Sequence, residues 1–240
     1  MTPKIGTLYG IGVGPGDPDL ITLKAVRVLR RVPHVFASCS TKNSYSLALN
    51  IVRGHLNGAG LEHLPFPMTK DPLVLQAAWE KNAARVLEVL VSGADAAFVT
   101  LGDPLTYSTF GYLLKTLKRL NPEVQVVTIP GITSYAAAAA HTQIPLTEGE
   151  ESFVVVSGAQ GAAKLREMAD KSDNIVMLKT YRNFDEIYRA LEELDLLDRA
   201  VCISRCGLDG ETVVENLRDL RGQPLPYLSM VIIKKKGKGY

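Results

Sequence analysis

The sequence predicts an α/β protein with largely parallel strands, organised as two domains. Short apolar runs of strand length alternate with segments in which apolar residues recur at helical spacing. Three strand-to-helix junctions in the first half are rich in glycine, proline and hydroxyl residues, a composition typical of ligand-binding turns in parallel sheets. The alternation breaks once, over Thr142–Glu151, where proline, glycine and glutamates cluster. We therefore expect domains at residues 1–145 and 146–240.

The first helix illustrates how the elements are assigned. Ile21, Ala25 and Val28 fall on one face at helical spacing, and Asp19 is the expected N-cap. A longer helix carries a similar apolar stripe from Trp79 to Leu90. The first domain is predicted to contain, in order, strand Ile5–Ile11, helix Asp19–Val32, strand His34–Ala37, helix Tyr45–His55, helix Asp71–Val91, strand Ala94–Leu101, helix Tyr107–Leu120 (with Tyr107, Phe110, Leu114 and Leu117 inward), strand Val124–Ile129 and helix Thr133–His141.

The second domain repeats the alternation and then changes character. Its predicted elements are strand Phe153–Ser157, helix Ala162–Lys171, strand Ile175–Leu178, helix Phe184–Leu194 and strand Ala200–Ser204. The end is predicted to be a β-hairpin, Glu211–Glu215 with Leu228–Ile233, which would make this sheet mixed. The basic run that begins at Lys234 and ends at Lys238 is expected to be a solvated terminus.

Composition excludes several classes of protein. The chain has 240 residues, of which 46% are hydrophobic, and 27 basic against 25 acidic residues give a net charge of +2. This balance excludes a strongly basic nucleic-acid-binding protein. No apolar run approaches the ~18–20 residues that span a bilayer, and the N-terminus lacks a secretory pattern, so we expect a soluble cytoplasmic protein without a membrane partner. Cys39, Cys202 and Cys206 are expected to be packed thiols, and no residues have metal-ligand spacing.

The first junction, Tyr9–Asp17, has glycine at four alternate positions, which lets the backbone turn tightly and approach a ligand closely. It does not match the dinucleotide pattern G-x-G-x-x-G, because Pro15 and Asp17 stand where the last glycine is needed. The second strand also ends without the acidic residue that would hold a ribose. A nicotinamide-dependent oxidoreductase is therefore disfavoured, while a tight turn without a ligand remains open for this motif alone.

The other two junctions place polar groups at strand ends. Leu101–Thr109 contains Asp103, which either caps a helix or serves the chemistry of a site. Thr128–Tyr135 places hydroxyls at a helix N-terminus, where a ligand carboxylate would be stabilised. Both are expected at the same sheet edge as the first junction.

The strings "GVGPGDP", "GDPLTYSTF" and "PGITSYAAA" together resemble the signature set of the tetrapyrrole methylases, a family with two α/β domains. The similarity spans the whole chain, and the strings Tyr9–Val28, Gly102–Phe110 and Ser204–Glu211 are most similar to the branch that methylates carbon 20 of precorrin-2 or cobalt-precorrin-2. The resemblance implies S-adenosylmethionine as methyl donor, a tetrapyrrole substrate of cobalamin biosynthesis and a homodimer. Methylation of another corrin carbon, or of a protein or RNA, and a non-catalytic carrier remain as alternatives.

The resemblance also implies where the cofactor is held, in a cleft between the two domains. The residues that match the family's loops are Pro15 in the first, Leu101, Gly102, Asp103 and Thr106 around the methionine part, Thr133 and Ser134 in the third, and Leu178, Lys179, Cys206 and Gly207 around the adenosine. Asp103 is the candidate catalytic residue, either as the base that removes the proton from the methylated carbon or as a charge that positions the sulfonium.

One departure from the family bears on the substrate. Relatives that methylate uroporphyrinogen III carry an acidic residue just after the second strand, whereas this chain has Ala37–Ser40 there. Uroporphyrinogen methylation is therefore disfavoured. The carboxylates of a tetrapyrrole would instead meet basic side chains in loops, for which the candidates are Lys42, Lys70, Lys179, Arg182 and Arg205.

Overall fold

The structure is a computed structural model that describes residues 4–40 and 46–236. Lys42 and the end of the basic tail, residues 237–240, lie outside the described residues. The chain divides into two compact units, Met1–Thr133 and Ser134–Tyr240. The division falls before the helix that the sequence assigned to the end of the first domain, because Ala138 of that helix is buried with Val176 and Ile203 in a core of the second unit.

The first unit is built on a five-stranded sheet in which every strand is parallel to its neighbours. The strands are β1 (Thr7–Gly12), β2 (His34–Ser40), β3 (Gly60–Phe66), β4 (Ala96–Thr100) and β5 (Gln125–Ile129), in the order β3-β2-β4-β1-β5. The helices are α1 (Leu23–Leu29), α2 (Leu47–Val52), α3 (Pro72–Val91) and α4 (Phe110–Leu120). The predicted parallel α/β class is confirmed for this unit.

Helices cover both faces of this sheet and bury its centre. The side chains of α1 and α2 join one core, and those of α3 and α4 join the other. Strand β4, which is buried throughout, contributes to both. The helix α3 begins as predicted, because the Asp71 carboxylate accepts a hydrogen bond from the Leu73 amide at 2.9 Å and Pro72 occupies the first turn. No helix of the described chain is long and apolar enough to span a membrane.

The first unit departs from the sequence prediction at three points. Strand β3 was not predicted, because as an edge strand it is largely exposed and contains Pro65, so that its apolar signal is weak. Helix α1 is capped by Thr22, whose hydroxyl accepts from the Ala25 amide, and not by Asp19. Helix α4 begins at Phe110, so that residues 107–109 lie in the preceding turn.

The second unit has a mixed sheet, as the sequence predicts. Its strands are β6 (Phe153–Ser157), β7 (Asn174–Leu178), β8 (Ala200–Ser204), β9 (Thr212–Val214) and β10 (Ser229–Lys234), in the order β6-β7-β10-β8-β9. Only β6 and β7 are parallel. The helices α6 (Ala163–Met168) and α7 (Phe184–Glu193) contribute to one core, and α5 (Ser134–Thr142) contributes to the other.

The predicted terminal hairpin is wrong, because β9 and β10 do not pair with each other. Strand β9 pairs with β8, whereas β10 lies between β7 and β8 and is antiparallel to both. Burial explains the arrangement. All six residues of β10 are buried, which suits a central strand, while the three residues of β9 are half-exposed or exposed, which suits an edge.

The prediction that Lys234 belongs to a solvated terminus is also wrong. Lys234 is 3% exposed, and its Nζ lies 2.6 Å from Oε2 of Glu151 and 2.9 Å from Oε2 of Glu148. Asn174 donates a further hydrogen bond to Glu151 at 2.9 Å. The hydrogen bond from Lys234, with that from Asn174, lowers the pKa of Glu151. The polar segment before β6 is thus tied to the last strand by a buried charge pair.

Candidate functional site

Three loops meet at the carboxyl edge of the first sheet, after β1, β4 and β5. The first two are joined by a pair of backbone hydrogen bonds: Gly102 donates to the carbonyl of Gly14 at 2.6 Å, and Gly14 donates to that of Gly102 at 3.3 Å. The third loop reaches them through Gly131, which lies against Gly12 and Gly102. The carboxyl ends of parallel strands share one edge, so this convergence follows directly from the topology.

Glycine is required where these loops cross. A Cβ on Gly131 would lie 2.1 Å from the carbonyl oxygen of Gly102 and 2.8 Å from the Cα of Gly12. A Cβ on Gly12 would lie 2.5 Å from that same oxygen. Gly102 itself has φ +68°, a conformation that other residues adopt at a cost. The glycine motif therefore serves contact between the loops as well as any approach to a ligand.

The carboxylate of Asp103 joins two of the loops. Its Oδ1 accepts hydrogen bonds from the Leu105 amide at 2.9 Å and the Thr106 hydroxyl at 3.2 Å. Its Oδ2 accepts from the amide of Gly131 at 3.2 Å. Asp103 does not cap α4, which starts at Phe110. Three donors on its two oxygens leave about one lone-pair direction for any further partner.

The loop that contains Asp103 presents apolar side chains to solvent. Leu105 is 61% exposed and Tyr107 is 51% exposed, so the inward position predicted for Tyr107 is wrong. Tyr107 has φ +51° and is held next to a hydrogen bond between the hydroxyls of Thr100 and Ser108 at 2.9 Å. This sheet edge thus combines a half-buried polar turn with an exposed apolar rim, a composition suited to a large ligand with both kinds of surface.

The site residues predicted in the first unit all follow strands at this edge. Pro15 is buried in the loop after β1, and Leu101 is half-buried directly after β4. Thr133 is half-buried at the end of the third loop, and Ser134 is the first residue of α5, in the second unit. The structure therefore gathers one predicted set: Pro15, Leu101, Gly102, Asp103, Thr106 and Thr133.

The predicted residues of the second unit gather at one edge of their own sheet. Strand β7 ends at Leu178 and is followed by Lys179, Cys206 and Gly207 come after β8, and β10 begins beside both strands. The non-glycine residues with positive φ at this edge are Lys179 (φ +59°), Arg205 (φ +57°) and Leu228 (φ +67°). A residue with a Cβ adopts this conformation only at a cost in free energy and only where surrounding contacts hold it. Because such strained residues cluster at functional sites, this edge is a second candidate for function.

The loop after β8 is held by polar contacts within the second unit. Arg205 Nε donates to the carbonyl of Asp209 at 2.7 Å, and the Gly207 amide donates to Oε2 of Glu211 at 2.6 Å. Cys206 is only 7% exposed, and burial, followed by the charge of Glu211, raises the pKa of its thiol to about 11. The thiol is therefore neutral and packed, as predicted for the cysteines, and Gly207 has its carbonyl but not its amide available to a ligand.

The basic candidates within the described chain are exposed. Lys70, Lys179, Arg182 and Arg205 all present their side chains to solvent. The guanidinium of Arg182 lies 5.4 Å from the ring centre of Tyr181, which in turn meets Tyr227 edge-on at 5.2 Å. Arg182 thus lies next to an aromatic pair, while Lys179 and Arg205 occupy the left-handed turns of the same edge.

Two residues with structural roles at these edges were absent from the predicted set. Gly131 stands in the string "PGITSYAAA", and Glu211 ends the string "SRCGLDGE", so both lay within recognised motifs. The contacts that give them a role join residues 28 and 70 positions apart, Gly131 to Asp103 and Glu211 to His141. Such separations are not readable from local spacing.

Comparison with known proteins identifies relatives along nearly the whole chain. The family model described as tetrapyrrole (corrin/porphyrin) methylases matches residues 7–221. A cobalt-precorrin-2 C(20)-methyltransferase of Salmonella typhimurium is 34% identical over 233 residues, which cover 96% of this chain and 97% of the relative. A precorrin-2 C(20)-methyltransferase of a Sinorhizobium species is 31% identical over 240 residues, covering 95% of each.

A solved structure has the same fold. Uroporphyrin-III C-methyl transferase from Thermus thermophilus, in complex with S-adenosyl homocysteine, matches with a TM-score of 0.72 at 24% identity. The match covers 96% of this chain and 92% of that protein. At this level of identity the likeness concerns the fold alone.

Proposed function

The chain belongs to the tetrapyrrole methylase family, and we propose that it transfers a methyl group from S-adenosylmethionine to carbon 20 of precorrin-2 or cobalt-precorrin-2 in cobalamin biosynthesis. The observation that carries this proposal is the full-length similarity to two relatives that share the same position of methylation and differ in whether the substrate holds cobalt. Methylation of another corrin carbon by the same fold is the alternative.

The loops of the first unit fit a sulfonium cofactor. The crossing of Gly12, Gly102 and Gly131 excludes side chains, so that a ligand can approach the backbone closely at the sheet edge. The Asp103 carboxylate supplies a negative charge beside them, and a positively charged sulfur is stabilised by such a charge. When bound, S-adenosylmethionine would supply an activated methyl group to the attacking carbon, with S-adenosylhomocysteine as the leaving group.

The residues contribute chiefly by alignment in this proposal. Positioning of two reactants can supply ~7–11 kcal/mol of a barrier, and the carbon of an electron-rich reduced tetrapyrrole needs little further activation. Asp103 fixes the loop that would hold the methionine part, because it binds that loop and Gly131 at once. Three hydrogen bonds occupy most of the acceptor capacity of the Asp103 carboxylate, which favours an electrostatic role. The alternative role is that of proton acceptor.

The adenosine is proposed to lie along the edge of the second sheet, at Leu178, Lys179, Cys206 and Gly207. Exposed cations there, together with Lys70 of the first unit, would pair with the acetate and propionate groups of the substrate. This assignment explains why a nearly neutral chain needs cations in left-handed turns.

The test is transfer of labelled methyl groups from S-adenosylmethionine to precorrin-2 under anaerobic conditions, with metal-free and cobalt-loaded substrate compared. Label at carbon 20 of the product is the expected result. The substrate that is methylated faster shows whether the enzyme acts on metal-free or on cobalt-loaded precorrin-2. Label at another carbon would establish the alternative, and absence of label from any tetrapyrrole would contradict the proposal. In parallel, S-adenosylhomocysteine but not NAD should raise the melting temperature, because only a ligand of the folded state stabilises it.

We also propose a cytoplasmic homodimer. The edge strands β6 and β9 expose Phe153 and Val213, at 39% and 36%, which supplies apolar surface for self-association. The three cysteines are free thiols, in keeping with a reducing compartment. Sedimentation at micromolar concentration tests the dimer, and a single monomeric species would contradict it.

A further inference from the structure

We propose that Glu211 is a positioning residue, which holds the turn at Cys206–Gly207 in the conformation that receives the adenosine of the cofactor. The inference rests on the proposed function, because it assumes that this turn contacts the cofactor. It assigns a role to a side chain that lies outside the set of residues expected to touch the ligand.

The contacts of Glu211 are divided between two parts of the second unit. Its Oε2 accepts the Gly207 amide at 2.6 Å, and its Oε1 lies 2.9 Å from Nε2 of His141. The side chain of Glu211 is 22% exposed and that of His141 is 51% exposed. The Cys206 thiol is also hydrogen-bonded to this carboxylate. One side chain therefore has partners both in the turn and on the helix that carries His141.

The turn between β8 and β9 needs such a tie, because its backbone is unfavourable. Arg205, Gly207 and Gly210 all have positive φ, at +57°, +73° and +77°. A local hydrogen bond runs from the Leu208 amide to the Arg205 carbonyl at 2.9 Å, and the Arg205 amide donates to the carbonyl of Leu228, just before β10, at 3.2 Å. The Glu211 side chain connects the turn to a helix 70 positions earlier in the chain.

That helix carries a second predicted cofactor residue. Helix α5 starts at Ser134 and has His141 in its last turn. Glu211 thereby joins the turn at Cys206–Gly207 to the same rigid element on which Ser134 is mounted. The spacing between two proposed cofactor segments of one unit thus depends on this carboxylate, which lies outside the residues proposed to touch the ligand.

Glu211→Gln tests the role. The amide keeps the size of the side chain but loses the negative charge, and it has a single oxygen that cannot accept from both the Gly207 amide and an Nε2–H of His141. We expect the Kd for S-adenosylhomocysteine, measured by calorimetry, and the KM for S-adenosylmethionine to rise about tenfold, the loss of one hydrogen bond to a charged group. The KM for the tetrapyrrole and kcat should stay within about twofold of the parent, a split that general destabilisation would not produce.

Two further variants complete the experiment. His141→Ala removes the second partner and should weaken cofactor binding in the same direction, so it replaces Glu211→Gln if that variant does not fold. Asp209→Asn is the matched control, because Asp209 lies in the same turn, is exposed and uses its backbone carbonyl towards Arg205. It should bind cofactor as the parent does.

The outcomes separate this inference from the proposed function. If the parent binds S-adenosylhomocysteine and methylates precorrin-2 while folded Glu211→Gln and His141→Ala bind it equally well, the positioning role is overturned and the function stands. If the parent itself binds no S-adenosylhomocysteine, both are overturned. Equal weakening by Asp209→Asn would also overturn the role, because it would show that any change in this turn has the same effect.

Discussion

The two units use a carboxylate in the same way but shape their loops differently. In the first, Asp103 accepts the amide of Gly131 at 3.2 Å, and in the second Glu211 accepts the amide of Gly207 at 2.6 Å. Around Asp103 the loops cross where glycines leave no Cβ in the way. At the edge that carries Glu211, the left-handed positions include Lys179 and Arg205, which keep long charged side chains.

The two edges therefore differ in how they form tight turns: the first uses glycines, and the second also keeps long side chains at left-handed positions. Removing side chains lets loops contact one another but leaves only backbone groups to offer a ligand. Keeping a lysine or arginine in a left-handed turn costs conformational free energy and places a cation at a fixed point of the edge. The first solution suits the small sulfonium end of a cofactor, and the second suits a ligand rich in carboxylates.

The largest effect that would test this comparison is expected from Asp103→Asn. The asparagine amide cannot accept hydrogen bonds on both sides, so it loses either Gly131 or the pair Leu105 and Thr106, and its charge disappears. We expect single-turnover methyl transfer to slow by about a hundredfold or more, the range for loss of a catalytic carboxylate. Calorimetry with S-adenosylhomocysteine separates a loss of binding from a loss of rate.

Asp17→Asn is the control for that variant. Asp17 also lies in a loop of the first unit, but its carboxylate only accepts the Asp19 amide, at 2.9 Å, and asparagine performs this capping role almost as well. Its rate should be that of the parent. A rate for Asp103→Asn within about threefold of the parent would make Asp103 dispensable for the chemistry and leave the proton to water or to the substrate.

The next effect concerns the crossing of the glycine loops. Gly131→Ala would put a methyl group 2.1 Å from the backbone oxygen of Gly102, so the loops must separate. We expect the free energy of unfolding in urea to fall by ~1–3 kcal/mol, as for overpacked sites. Gly111→Ala, on α4 with nothing within 4 Å, should instead raise it by ~0.5–1 kcal/mol. Equal stability of the two variants would contradict the account of the crossing.

A smaller effect should distinguish the turns of the second unit. Lys179→Gly and Lys179→Ala remove the same side chain but differ in their tolerance of φ +59°. The glycine variant should be about 1 kcal/mol more stable than the alanine variant, because the left-handed conformation costs alanine roughly that much. Urea denaturation of the pair measures the difference. If the two variants had the same free energy of unfolding, position 179 would carry no backbone strain.

The smallest effect is on acid stability. Hydrogen bonds from the amide and hydroxyl of Ser152, with the nearby Lys236, lower the pKa of Asp173 from 3.8 to about 2. A carboxyl group with a lowered pKa stabilises the fold above its ordinary pKa, and that contribution is lost as the pH falls towards 2. Asp173→Asn should therefore show a shallower fall in melting temperature between pH 4 and pH 2 than the parent. If the melting temperatures of parent and variant fell in parallel over this range, the stabilising role of the Asp173 carboxylate would be contradicted.

The sequence predicted the elements whose signal is local. Strands Phe153–Ser157 and Ala200–Ser204 and helix α3 lie where their apolar patterns place them. The edge strand β3 escaped prediction because exposure weakens its pattern, and the hairpin was misassigned because strand pairing is not a local property. The same holds for the site. The glycine motifs could be recognised in the sequence, whereas the contacts of Asp103 and Glu211 with distant residues could not.

The central position of β10 has a consequence for synthesis of the protein. The strands β7 and β8 are made well before β10, yet β10 must enter between them to complete their hydrogen bonds. The first sheet draws only on residues 7–129 and can assemble earlier on the ribosome. The second sheet must wait with two apolar strand edges unpaired, and in that interval this half of the nascent chain is the part most in need of a chaperone.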